Sequence, residues 1–398
     1  MRVVKRGEFL FVSLFCLSLV IILFCIFTDQ NTISQLENRM LTKLPSPSTS
    51  GFFSGSFQEQ LENALGDHVP FSENIRRTVR SAEAAILSFQ QKALRQIFPS
   101  QSQNYTQIAE GYYSYAGDMH RIVEKPSLSE KDIPETLYRF ATKIESMANV
   151  HKVIYWIDNS RSISFDFPRE HNIRDIVLSL FPNALTDVFS FEKYEEYCNL
   201  FYQTDHHWNH KGSYKGYTQI LKLLRPDESP FPVSEEITFP LVFNGSYARQ
   251  TSLLCADEFF SIYRFDLPKM TTTMNGKRGT YGRMDSYIKG RYSDDPLSNH
   301  YSNCYGGEYG EIVYSSNNTE NGNLLIIASS YSNPINSLLA AHFDKTFVID
   351  PRYYSKWADH SFDPEEYARE HNITDLLLLG DIDFFLKDLT GNTEGENI

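Results

Sequence analysis

Residues 324–342 read LLIIASSYSNPINSLLAAH. Leu324–Ala328 is an apolar run too short for a buried helix, and the polar stretch Ser329–Pro334 behind it is turn chemistry. Apolar residues then recur at helical spacing over Ile335–His342, and Thr346–Ile349 is a second short apolar run. The pattern reads strand, turn, helix, strand. It occurs again outward from this stretch. Val153–Ile157 (VIYWI) follows a helical stretch at Leu137–Ala148, and Leu376–Leu379 follows a helix around Pro364–Glu370. Short apolar strands separated by helices predict an α/β fold, with a mostly parallel sheet covered on both faces in three layers. Several buried helices would be the competing reading, but runs of four or five residues bounded by turn residues speak against it.

The composition bounds what surrounds this sheet. Of 398 residues, 41% are apolar and 22% charged, a globular balance that excludes disorder as the main state. Lys and Arg number 37 against 50 Asp and Glu, a formal charge of −13, so the chain lacks the basic excess that grips a phosphate backbone, and no nucleic-acid partner is expected. A mean hydropathy of −0.37 excludes a polytopic membrane protein. One membrane-length run does exist: residues 9–27, FLFVSLFCLSLVIILFCIF, carry no charge. As a helix they span roughly 28 Å, close to the thickness of a bilayer's hydrocarbon core. Arg2, Lys5 and Arg6 precede the run and Asp29 follows it, which predicts a single-pass signal anchor with a cytoplasmic N-terminus and an extracytoplasmic bulk. A cleaved signal peptide is the alternative, but no small-residue cleavage pattern closes the run.

The expected organisation is therefore a cytoplasmic end and anchor over 1–28, a stem and helical region over 29–105, and an α/β domain over 106–398. The stem is rich in Pro, Ser and Gly, and a helical pattern from Phe57 to Gln96 is interrupted by GDHVPFS at 66–72. Residues 256–322, rich in Tyr, Asp, Gly, Asn and Ser, read as a long loop or short-strand insertion. Two of the five cysteines lie in the apolar run. Cys198, Cys255 and Cys304 remain, an odd set whose spacing names no disulfide. Cys198 reads as a buried small apolar residue.

The densest chemical signal is Thr204-Asp205-His206-His207-Trp208-Asn209-His210-Lys211-Gly212, on a loop running into an amphipathic helix. Three readings compete. In the first, Asp205 caps the helix and the histidines merely pack or face solvent. In the second, Asp205, His206 and His210 ligate a metal, the two histidines sharing a helix face. In the third, Asp205 orients His207 as the base of a Ser–His–Asp triad that needs no cofactor. That reading requires a serine on a sharp strand-to-helix turn, where backbone N–H groups face a developing oxyanion, and Ser329-Ser330 stands at such a turn.

The segment TDHHW at 204–208, with its following Gly and Tyr-rich helix, resembles the signature of the bacterial DHHW protein family. That family is similar to the SGNH-hydrolase-like alginate O-acetylation proteins. Their D-x-H-W segment precedes the strand that ends in the Ser block, an order permuted relative to ordinary SGNH hydrolases. Asp205, His207 and Trp208 match the first segment, and Ser330-Tyr331 matches the Ser-Tyr of the second, which makes Ser330 the implied nucleophile. Ala328 stands where the family has Gly, so its φ must be negative. Further likenesses are Glu37-Asn38-Arg39 with Leu41, Asp67 with Pro70-Phe71, and IDPRYY at 349–354.

The resemblance implies an envelope O-acetyltransferase or acetylesterase, with a polysaccharide and an acetyl donor as partners and envelope biosynthesis proteins around it. Asn333, Gly306 and Gly307 are the oxyanion candidates beyond the turn itself. Tyr331, Trp208 and Arg352 are substrate or wall candidates, and His206 is a supporting residue. A catalytically silent glycan-binding or assembly protein and a metal-dependent hydrolase remain the alternatives.

Overall fold

A computed structural model describes residues 2–29, 33–34, 39–46, 49–70, 104–166, 172–251, 253–254, 257–307, 309–316, 320–387 and 389, with positions 75, 78, 79, 82 and 86. The chain forms two compact units, Met1–Ile97 with Arg249–Leu253 and Phe98–Ala248 with Leu254–Ile398.

The first unit begins with α1 (Arg2–Thr28). Its 21-residue segment Glu8–Thr28 is long and apolar enough to cross a bilayer and is 6% buried. An N-terminal helix of this kind fits a membrane anchor or a signal sequence. A short antiparallel pair follows, β1 (Ile33–Ser34) with β2 (Arg39–Met40), then α2 (Thr49–Ser54) and α3 (Ser56–His68). Helix α3 stops inside the 66–72 break. There His68 Nδ1 lies 2.8 Å from Asp29 Oδ2, and Asp67 Oδ2 accepts the Thr42 N–H at 2.8 Å. Glu37, Asn38 and Phe71 lie outside the described residues.

The second unit opens with an antiparallel meander, β3 (Tyr105–Ala109), β4 (Tyr112–Tyr115) and β5 (Asp118–Glu124). Then come α4 (Glu135–Ser146), β6 (His151–Ile157), α5 (Asn172–Ser179), β7 (Leu185–Phe189) and α6 (His210–Leu224). Strand β8 (Glu235–Val242) pairs only with β9 (Phe259–Arg264) among the described residues. The chain continues through β10 (Thr271–Met274), β11 (Lys277–Gly279), α7 (His300–Tyr305), β12 (Glu311–Ser315) and β13 (Asn323–Ala328). It closes with α8 (Asn336–Ala340), β14 (Lys345–Ile349), α9 (Pro364–Glu370), β15 (Asp375–Gly380) and α10 (Ile382–Phe385).

The central sheet runs β11-β10-β12-β14-β13-β15-β6-β7. From β14 to β7 every pairing is parallel, and β12, β10 and β11 continue it antiparallel. The apolar strands alternate cleanly between two cores, as a period of two requires. Leu324, Ile326, Leu377, Leu379, Val153 and Tyr155 face the core that takes Tyr217, Ile220, Leu221 and Leu224 of α6. Leu325, Ile327, Leu376, Leu378, Ile154 and Trp156 face the other, against Leu137, Phe140, Ala141 and Ile144 of α4. Full burial of each such side chain stabilises by about 1.5–3 kcal/mol, which is why these strands hold the sheet's centre.

The mostly parallel, doubly covered sheet read from the sequence is the observed one. Residues 256–322 are more ordered than a loop: they supply β10, β11 and β12 to the central sheet, β12 pairing with β14 from Glu311↔Ile349 to Ser315↔Lys345. Strands β10 (TTTM) and β11 (KRG) are short and mostly polar, and β12 (EIVYS) offers only three apolar residues in a row, so periodicity did not reveal them. Among the described residues the cysteines are free and Cys198 is half-buried rather than fully enclosed; Cys255 lies outside them.

Candidate active site

The carboxyl ends of β6, β13 and β15 meet at one edge of the sheet, the edge where open α/β sheets bind their ligands. Strand β13 delivers Ala328, then Ser329 (φ −90, ψ −169) precedes a single 3₁₀ turn, Ser330–Ser332. Ala328 is absent from the positive-φ residues, so the turn forms without glycine. The N–H groups of Ser330 and Tyr331 head this turn, where no carbonyl within the turn can pair them. Those of Ser332 and Asn333 bond back to Ser329 and Ser330.

The 204–208 segment reaches this turn from the other side. Residues 200–209 fold back on themselves, with an antiparallel bridge between Phe201 and Trp208 and the Asn209 N–H on the Leu200 carbonyl at 2.8 Å. Asn209, not Asp205, caps α6, accepting from the N–H groups of Lys211 and Gly212. Asp205 is thereby left for other work. Its Oδ1 accepts the His207 N–H at 2.9 Å and lies 2.6 Å from His207 Nδ1, and its Oδ2 accepts the Ser246 N–H at 2.6 Å. A Cβ on Gly245 would overlap the Asp205 side chain, so only glycine leaves the carboxylate its place. With Nδ1–H donated to the carboxylate, Nε2 of His207 carries the lone pair. That nitrogen is 2.7 Å from Ser330 Oγ.

Three further side chains hold this row of atoms. The Tyr301 ring stacks on the His207 imidazole, centroids 4.0 Å apart at 17°, and its hydroxyl donates to the Ser330 carbonyl at 2.9 Å. Trp208 is fully buried, donates Nε1–H to the Tyr331 carbonyl at 3.1 Å and meets Phe189 edge-on at 5.3 Å. It forms a wall and offers no open face. Tyr331 donates its hydroxyl to the His206 carbonyl at 2.6 Å and accepts from Asn159 Nδ2, which also donates to Asp381. His206 Nδ1 is 2.9 Å from Ser246 Oγ, and burial, followed by the neighbouring His207, holds its pKa well below the usual histidine value.

A cavity of about 60 Å³ opens at Ser330, lined also by Arg161, His206, Arg352, Asp383 and Lys387. Arg352 reaches this cavity while its guanidinium is paired with Asp350, Nε to Oδ1 at 2.9 Å. Asn333 and the Gly306-Gly307 pair meet each other. The Asn333 amide donates to the Gly306 carbonyl at 2.6 Å and accepts from the Tyr281 hydroxyl, so that amide is committed to holding the 306–307 turn. Ligand-type atoms of Asp205, His206 and His207 lie within 4.8 Å of one another. His210 is not with them. As the first residue of α6 it turns Nε2 to Glu236 of β8 at 3.0 Å, so the Asp205–His206–His210 set does not form.

Sequence reasoning missed Tyr301, Asn159, Gly245 and Ser246. Asn159 had a signal, because Asp158-Asn159-Ser160 follows VIYWI as Ser329-Ser330 follows LLIIA. Nothing local marks Tyr301 among its many neighbouring tyrosines.

A scan against protein-family models finds no match, and a search of curated proteins finds none. Solved structures do match. PatB1 of Bacillus cereus superposes with a TM-score of 0.54 at 19% identity, over 69% of this chain and 97% of that one. A second PatB1 structure, with a sulfonyl adduct, gives 0.50 at 18%, over 69% and 96%. A DHHW family protein from Eubacterium siraeum gives 0.53 at 16%, over 73% and 96%. These are likenesses of fold, and on the fold motif and architecture agree: the chain resembles a DHHW family protein both in its 204–208 segment and in its three-dimensional structure.

Proposed function

We propose that the chain is an acyl-ester enzyme, an O-acetyltransferase or acetylesterase of a cell-envelope polysaccharide, held by α1 with its bulk on the extracytoplasmic side. The observation that carries this reading is the unbroken row Asp205–His207–Ser330, at 2.6 and 2.7 Å. Ser330 Oγ attacks an acetyl ester while His207 Nε2 takes its proton, and Asp205 holds the imidazole tautomer and stabilises the imidazolium. The N–H groups heading the 330–332 turn face the developing oxyanion. The tetrahedral adduct collapses to an acetyl-serine as His207 returns the proton to the leaving alkoxide. A second hydroxyl, from sugar or water, then gives its proton to His207 and attacks the acetyl carbon, and the Ser330–acetyl bond breaks as His207 returns that proton to Ser330 Oγ. The order of the two motif segments in the chain is the permuted SGNH order.

Turnover of 4-nitrophenyl acetate by the full chain in detergent tests the reading. Ser330→Ala is expected to abolish turnover and to block labelling by a sulfonyl fluoride; one PatB1 structure carries a sulfonyl adduct. Unchanged turnover in that variant would refute it. The convergence of Asp205, His206 and His207 supports metal-dependent hydrolysis as a second reading. Loss of turnover with a chelator and its return with zinc would select that reading instead.

A further inference from the structure

A second concavity at the carboxyl edge of the sheet belongs to neither the triad nor its small cavity. It measures about 550 Å³, within the roughly 300–1,000 Å³ of small-molecule sites. Its floor is the end of β6, Trp156 and Asp158, and its outer rim is the exposed turn Leu128–Lys131. Arg161 lines both this cleft and the Ser330 cavity, and α10 stands between them, with Ile382 on one side and Asp383 on the other.

The inner charges of the cleft come already paired, and the exposed rim adds one charge of each sign, Glu130 and Lys131. Asp158 accepts from Trp156 Nε1 at 2.9 Å and from Arg174 Nη1 at 2.9 Å. Arg161 is paired with Glu124 and, at 2.6 Å, with Asp383. Paired guanidinium and carboxylate groups leave little net field for a charged ligand. They still present N–H donors and oxygen acceptors side by side. A sugar hydroxyl both donates and accepts, and so matches such a wall at each position. Apolar patches at Pro126, Leu128 and Ile382 suit the C–H faces of sugar rings.

We propose that this cleft seats a neutral, hydroxyl-rich glycan chain next to the triad, a proposal that rests on the reading of Ser330 as the acyl-bearing residue for its purpose but not for its binding. Calorimetric titration of the full chain in detergent with cellotetraose, chitotetraose and tetragalacturonate tests it. A neutral tetramer is expected to bind. Leu128→Asp, which replaces an apolar rim position with a charge, should weaken that binding about ten-fold or more, a loss of roughly 1.4 kcal/mol, while its Tm stays at the parent value. Pro126→Asp, in the same apolar rim patch, provides a second variant if the first does not fold. Failure of both neutral tetramers to bind, binding of tetragalacturonate alone, or parent-level binding in both rim variants would overturn the proposal. Because the titration needs no turnover, an active Ser330→Ala protein would remove the triad reading and leave the binding result standing.

Discussion

Tyr301 gives the sharpest test of how the row of catalytic atoms is held. Its ring lies on the His207 imidazole at 4.0 Å and its hydroxyl donates to the Ser330 carbonyl at 2.9 Å, so one side chain touches both the base and the nucleophile's backbone. Tyr301→Phe keeps the ring and removes the hydroxyl. A typical hydrogen bond contributes about 0.5–1.5 kcal/mol, and a buried acceptor left without its donor costs about 1–3 kcal/mol. The Ser330 carbonyl keeps one partner, the Asn333 N–H at 3.2 Å, which places the expected loss at the low end, about 1–2 kcal/mol. If the lost bond loosens the Ser330 turn in the transition state, kcat for an acetyl ester falls roughly five- to thirty-fold, since ~1.4 kcal/mol is a factor of ten. Tyr301→Leu removes the stacked ring as well, worth about 0.5–1.5 kcal/mol beyond its buried area, and leaves a void beside the imidazole. Its kcat should fall further and its Tm should drop by more than that of the Phe variant, which loses only the hydrogen bond. The assay is steady-state hydrolysis of 4-nitrophenyl acetate, with thermal melts on the same samples. Parent-level kcat in Tyr301→Phe would refute the inference that this tyrosine positions Ser330.

Two further outcomes follow from the same geometry. Gly245→Ala should push the Asp205 carboxylate off His207 Nδ1 and cost up to about 10⁴-fold in kcat, the loss when a triad's carboxylate is disabled. A folded variant with undiminished turnover would show that Asp205 does not need its observed place. Glu258, whose two carboxylate oxygens accept the Gln203 N–H at 3.0 and 2.8 Å, is pushed by burial up to about 8. The folded chain therefore holds a proton that the unfolded chain gives up near pH 4.5. This contribution to stability is complete below that pH and is lost as pH rises through about 8. Glu258→Gln should then melt close to the parent at pH 5 and increasingly above it toward pH 9, and a Tm difference that does not change with pH would contradict the assignment.

The sequence alone determined the middle of the sheet and the two ends of the catalytic row. LLIIA, VIYWI and the run Leu376–Leu379 are apolar on both faces of the strand, and such runs have no stable place except between two helical layers. Their turns are equally local: Pro364 opens α9 behind the Asp363 cap, and the extended backbone of Ser329 leads directly into the turn that carries Ser330. Asp205 and His207 were legible because three histidines and a carboxylate within six residues depart from ordinary loop chemistry. Tertiary structure decided the rest. Asn209 took the helix cap and left Asp205 to the imidazole, a choice between two competent side chains that depends on how residues 200–209 fold back. His210 went to Glu236 because β8 passes beside the first turn of α6. The short strands β10, β11 and β12 became sheet because β14 had an unpaired edge to offer, and edge pairing is written in backbone groups that every sequence shares. Tyr301 and Ser330 are 29 positions apart, and the cleft over Asp158 is walled by segments from four places in the chain. Contacts of that kind leave no local period or motif behind them, so only the packed fold brings them into view.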